Sequence, residues 1–183
     1  MMPPAPLAMQ FRTEWSRQYP ALLPIGWLLR KDPVRPWVRF HALPESKRYA
    51  DDDTERQIIL YRANALGDRL LGSGTPCWIV EARTDECEGS GELAMVSAED
   101  DDPDSMVWRF YVRLEEWQSG RYDDRFLSIA DDQPNRAIWL SRDSGSVFAP
   151  YDGGFDLFPP TWREVNALKK ERHDWLSDHP AGL

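Results

Sequence analysis

Residues 107–114, VWRFYVRL, alternate without a slip, with Trp108, Phe110, Val112 and Leu114 on one face and Arg109 and Arg113 on the other. A period of two belongs to a strand with one buried and one wetter face, so the chain must build a sheet and cover it. Residues 76–83, PCWIVEAR, read as a second strand. Residues 137–141 and 146–151 flank the glycine-containing turn RDSG and read as a hairpin. Residues 22–29 and 36–41 are rich in Trp and branched residues and bounded by Pro, which predicts two extended segments paired as a further hairpin.

Two long helices stand out. Over residues 53–71, Ile59, Ala63, Leu66 and Leu70 fall on one face and Gly72 supplies the stop. Asp52 followed by Glu55 gives capping-box spacing, so the aspartates at 51–53 have a structural use at a helix start. Thr161 and Glu164 repeat that spacing ahead of Val165, Leu168, Arg172, Trp175 and Leu176. Phe11, Trp15 and Tyr19, four residues apart, predict a shorter first helix that ends before Pro20, after a frayed Pro-rich stretch at 1–8. Hairpin connections rather than βαβ alternation then predict an α+β domain: a mainly antiparallel sheet of five or six strands with two principal helices packed on one face. With 183 residues, a single domain spanning 1–183 can bury a sizeable core. Residues 84–105 carry nine acids and no Lys or Arg, and read as an acidic, mobile connection in which residues 92–98 form a ragged edge strand.

Charge narrows the partners. The net charge of -9 argues against nucleic acid and against anionic membrane surfaces, where a basic face supplies most of the affinity. Residues 1–50 hold eight Lys/Arg against three acids, a net of +5, which leaves fourteen against twenty-eight, or -14, for the remainder. No basic n-region opens the chain and no run of about 18 apolar residues follows, so a cytoplasmic location is expected. Cys77 and Cys87 are expected to be reduced thiols. Of nine tryptophans, Trp78, Trp108, Trp139 and Trp175 fall at core positions, whereas Trp27, Trp37 and Trp117 are less constrained and are candidates for a groove.

The common catalytic and nucleotide-binding motifs are missing, including G-x-S-x-G, H-E-x-x-H, Walker A and G-x-G-x-x-G. His173 and His179 are six residues apart, which helical geometry turns about 240° from each other. The aspartate pairs and runs lack the alternating ligand spacing of a calcium loop. No metal and no cofactor is therefore expected.

The strongest candidate site is FHALPESKRY, where Arg39, His41, Ser46, Lys47, Arg48 and Tyr49 gather on one short stretch before a helix. Arg and Lys can hold an anionic group there while His or Tyr donates. The plainer alternative is that Lys47 and Arg48 neutralise the acids at 51–53. A second candidate is YDGGFD, where paired glycines permit a tight turn displaying Asp152 and Asp156 toward the basic loop. Its plainer alternative is a structural turn alone.

The C-terminal stretch GSVFAPYDGGFDLFPPTWREVNALKKERHDWLSDH, together with WVRFHALP and the helix RQIILYRANALGDRLLG, resembles an uncharacterised bacterial family of domains of unknown function, the DUF 3885 type. In that family a YDDRG turn precedes a similar helix. Here Asp152, Gly153 and Gly154 stand in that turn, and the acidic connection at 84–105 is a second departure. The resemblance implies a small bacterial α+β domain and brings no activity with it. Two functional readings follow. The first is a non-enzymatic protein-binding, immunity or regulatory protein whose acidic surface meets a basic partner such as a toxin. The second is a small enzyme or anionic-ligand-binding protein whose pocket joins the 39–49 loop to the 151–156 turn. A homodimer formed through exposed aromatic residues is a third expectation.

Overall fold

The computed structural model describes residues 6–84, 89–134 and 136–179. In chain order the strands are β1 (Val38–His41), β2 (Pro76–Arg83), β3 (Glu92–Ala98), β4 (Val107–Glu116), β5 (Arg136–Ser141), β6 (Val147–Tyr151) and β7 (Gly154–Phe158). They form one antiparallel sheet in the spatial order β1-β7-β6-β5-β2-β4-β3. The helices are α1 (Leu7–Gln18), the one-turn α2 (Gly26–Leu29), α3 (Asp53–Leu71), α4 (Asp123–Ala130) and α5 (Trp162–Glu171), with short 3-10 turns at Pro44–Ser46 and His173–Trp175.

The fold is α+β, with seven strands rather than five or six. The extra strand is β7, whose five residues are all buried. Phe155 and Leu157 enter one core and Phe158 the other, so GFDLF shows no alternation for a sequence reading to find. Residues 22–29 do not form a strand. They wrap into α2 instead, and β1 takes β7 as its partner, with Arg39 opposite Asp156 and His41 opposite Gly154. α4 was also hidden, because DDRFLSIA begins with two aspartates and shows only Phe126, Ile129 and Ala130 as buried residues.

Alternate residues of the central strands enter two separate cores. Cys77, Ile79, Trp139, Phe148, Phe155 and Leu157 pack with α3, α4 and α5. Trp78, Val80, Ala82, Ile138, Val147 and Ala149 pack with α1 and α2. At the start of α3 the Asp52 carboxylate accepts from the Glu55 amide at 2.9 Å, and the Glu55 carboxylate accepts from the Asp51 amide at 2.7 Å. Thr161 accepts from the Glu164 amide at the start of α5. Each such cap contributes about 1 kcal/mol. α5 is shorter than its apolar spacing predicts, and Trp175 reaches the core from the 3-10 turn that follows it. Inside α3, a Cβ at Gly67 would enter the indole of Trp117, which is why a helix interior tolerates glycine there.

Within the acidic stretch 84–105, β3 forms the sheet edge and carries a register shift between Leu93 and Met95. The helix α1 begins at Leu7, inside the stretch predicted to fray, and residues 1–5 lie outside the described ones, as does Cys87. Cys77 is a buried free thiol whose pKa burial pushes up to about 12. Among the described residues no helix is long and apolar enough to cross a membrane.

Candidate functional site

Across the three strands at one side of the sheet, Ala149, Asp156 and Arg39 are register partners in a row. They belong to the face on which α2 lies. α2 comes close because its first residue is Gly26, where a Cβ would sit 2.9 Å from that of Ala149. Between the one-turn helix and the sheet is a cleft of about 260 Å³. Ala82, Ile138, Ala149 and Pro150 contribute from the strands, and Pro24, Ile25 and Trp27 from α2 and its approach. Small side chains in the floor and a four-residue helix overhead leave this space unfilled.

Four arginines line the cleft (Arg30, Arg39, Arg48 and Arg136) against two acids, Asp152 and Asp156. Two of the arginines are spoken for. Arg39 donates to both oxygens of Asp156, at 2.8 and 2.9 Å, and Trp37 Nε1 donates to the same carboxylate at 3.0 Å. Arg48 Nε donates to Asp152 at 2.7 Å, and the Tyr49 hydroxyl donates to Asp152 at 2.9 Å. Burial alone would raise the Asp152 pKa. The hydrogen bonds from Arg48 and Tyr49 outweigh it and hold that carboxyl below its ordinary value. Both acids are therefore counterions in place.

Arg30 and Arg136 have no carboxylate partner among the described residues. Their guanidinium groups lie against aromatic rings instead, Arg30 at 5.7 Å from Trp37 and Arg136 at 5.3 Å from Trp27. Tyr151 adds a hydroxyl with no hydrogen-bond partner among the described residues, and Arg39 stacks 4.2 Å from its ring. Burial keeps that phenol neutral by raising its pKa to about 12, so it acts as a donor across the physiological range. Two cations with free N–H groups, one neutral O–H and an indole face thus share one cavity with an apolar floor.

Of the eight residues predicted from sequence, the fold brings Arg39, Arg48, Asp152 and Asp156 to the cleft, with Tyr49 behind Asp152. Lys47 is turned away onto Asp51 and Glu55, at 2.6 Å from each, as the plainer reading had it. Ser46 is exposed on the 3-10 turn. His41 is off the cleft, its Nε2 buried without a partner, and burial together with Arg39 and Arg62 lowers its pKa. The groove candidates also separate. Trp27 lines the cleft, Trp37 braces Asp156, and Trp117 is fully buried in the opposite core.

Arg30, Arg136, Ile138 and Tyr151 were not singled out by sequence. Arg30 falls just after the segment 22–29 that reads as extended, and Arg136 falls just before the strand predicted over 137–141, though in the structure it opens β5. The only available signal was the parity of Arg136 with Ile138 and Leu140, which assigns it to the same sheet face. The charge divide near residue 50 is bridged at the cleft, where Arg39 and Arg48 from the basic end are matched to Asp156 and Asp152 from the acidic remainder.

The family model described as "Domain of unknown function (DUF3885)" matches residues 25–180, a span that includes every residue lining the cleft except Pro24. No curated protein and no solved structure matches the chain.

Proposed function

The chain belongs to the DUF3885 family, and from that premise we propose that this domain binds a small organic anion in the cleft between α2 and the sheet. One observation carries the reading: Arg30 and Arg136, which have no carboxylate partner among the described residues, present guanidinium groups to a cavity whose other two arginines are already neutralised. Unpaired cations facing an apolar-floored cavity attract an anion with an apolar body, and Trp27 offers such a body a flat face. Binding rather than catalysis is favoured because each carboxylate in the cleft is held as a salt-bridge acceptor, which leaves no free base.

Phenylacetate titrated against the intrinsic tryptophan fluorescence tests the proposal, with phenethylamine as the cationic counterpart. A saturable change with the carboxylate, weakened by salt and missing with the amine, is the expected result. Equal responses to both, or none to either, would sink it.

A second reading is supported by the opposite edge of the sheet. Glu99, Asp100, Asp101, Asp102 and Asp104 form no ion pair among the described residues, and they adjoin edge strand β3 with its exposed Leu93 and Val96. We propose this edge as the acidic surface that meets a basic protein partner, which keeps the immunity or regulatory role as a proposal for the same molecule. Association with cationic toxins that did not weaken from low to high salt would argue against it.

A further inference from the structure

A second cavity of about 220 Å³ lies beside the cleft, lined by Ala82, Arg83, Thr84, Met106, Trp108, Pro134 and Arg136. It shares Ala82 and Arg136 with the first, and these two are register partners on β2 and β5. The boundary is marked by Trp27, which lines the cleft, and Trp108, which lines the second cavity, in edge contact at 5.6 Å. Arg136 lies against Trp27 at that same boundary. The two spaces are thus neighbours along one sheet face, with a guanidinium at their junction.

Their chemistry differs. The first cavity has Arg30, Tyr151 and the two ion pairs. The second has apolar surface from Met106, Trp108, Pro134 and Ala82, one hydroxyl from Thr84, and Arg83, which is paired with Glu81 at 2.7 Å. Apart from the shared Arg136, it offers no unpaired charge among its lining residues.

Building on the anion-binding reading, we infer that the two cavities are a head subsite and a tail subsite for an elongated anion with a hydrocarbon or aryl tail. The anionic head sits with Arg30, Arg136 and Tyr151. The tail passes the Arg136 junction and lies against Trp108 and Met106. The ligand class is therefore an arylalkanoate or medium-chain carboxylate rather than a compact anion such as acetate or phosphate. The argument is one of burial: each methylene removed from water contributes about 0.8 kcal/mol, roughly a fourfold gain in affinity, for as long as an apolar surface remains to receive it.

A length series separates this inference from the reading beneath it. Phenylacetate, 4-phenylbutyrate and 6-phenylhexanoate are titrated against the wild-type chain and against Met106→Glu, a substitution at a side chain that is 53% exposed and outside the head subsite. The expected result is a dissociation constant that falls by up to about fifteenfold at each two-methylene step in the wild type. In Met106→Glu, phenylacetate still binds, and the gain with length is lost. Binding of phenylacetate with no gain along the series, or a gain that Met106→Glu leaves intact, overturns the two-subsite inference and spares the anion site. Failure of all three carboxylates to bind overturns both.

Discussion

The two faces of the sheet use the same strands in opposite ways. On the α3 side, Trp139 packs against Tyr122, Phe126, Trp117 and Phe148, with ring centroids 5.1 to 6.4 Å apart, and rings fill the space. On the other side, Phe11, Trp15, Trp78 and Trp108 fill the half under α1, while the small side chains of Ala82 and Ala149 line the floor beneath the one-turn α2 and leave the cleft. One face is filled by contacting rings beneath three helices, and the other leaves a cleft where its covering helix is one turn long. Polar chemistry is concentrated where the packing stops.

The largest expected loss of stability lies on the filled face. Trp139→Ala should cost about 3 to 5 kcal/mol, because it removes the centre of the ring cluster and the neighbours can collapse only in part. Denaturant titration reads this as a large drop in midpoint at unchanged slope. Asp156→Asn comes next, at about 3 kcal/mol, since Arg39 would remain largely buried without its counterion. A loss well under 1 kcal/mol would mean that the Arg39–Asp156 pair is not a structural wall of the cleft.

Gly67→Ala probes the same filled face from within α3. So close an approach of the Trp117 ring puts the overpacking cost at about 2 to 3 kcal/mol, partly offset by roughly 1 kcal/mol of better helix propensity, so a net loss of about 1 to 2 is expected in the same titration. A neutral or stabilising result would show that the Trp117 ring can move aside. The smallest effect belongs to His41. Its folded pKa lies below the unfolded value, so the fold disfavours its protonation, and the stability it contributes is present above pH of about 6.5 and lost as pH falls through the folded pKa. Thermal melts from pH 8 to 5 should show a shallower decline for His41→Gln than for the wild type; parallel curves would remove His41 from the account.

Legibility followed pattern. β4 and α3 were readable because each keeps one period and one buried face, the β5–β6 hairpin because a glycine-containing turn parts two apolar runs, and the capping residues Asp52 and Thr161 mark where the helices start. β7 was not, since a strand covered on both sides has no alternation, and α2 was not, since one turn is too short to show a period. The candidate site suffers from the same limits. Arg39, Arg48, Asp152 and Asp156 could be named because their segments looked chemically dense, but the pairing among them came only with the β1–β7 register. Arg30 and Arg136, the two arginines that define the cleft, are separated by more than 100 residues and meet only through the sheet order.

The most direct test replaces both of those arginines by leucine and measures stability and phenylacetate binding on the same preparation. If these cations serve a ligand, the double variant keeps its unfolding free energy within about 2 kcal/mol of the wild type, the scale of two cation–π contacts of half-buried arginines, and binding is lost. A variant that unfolds far more easily, or that binds phenylacetate as well as the wild type, would contradict the account.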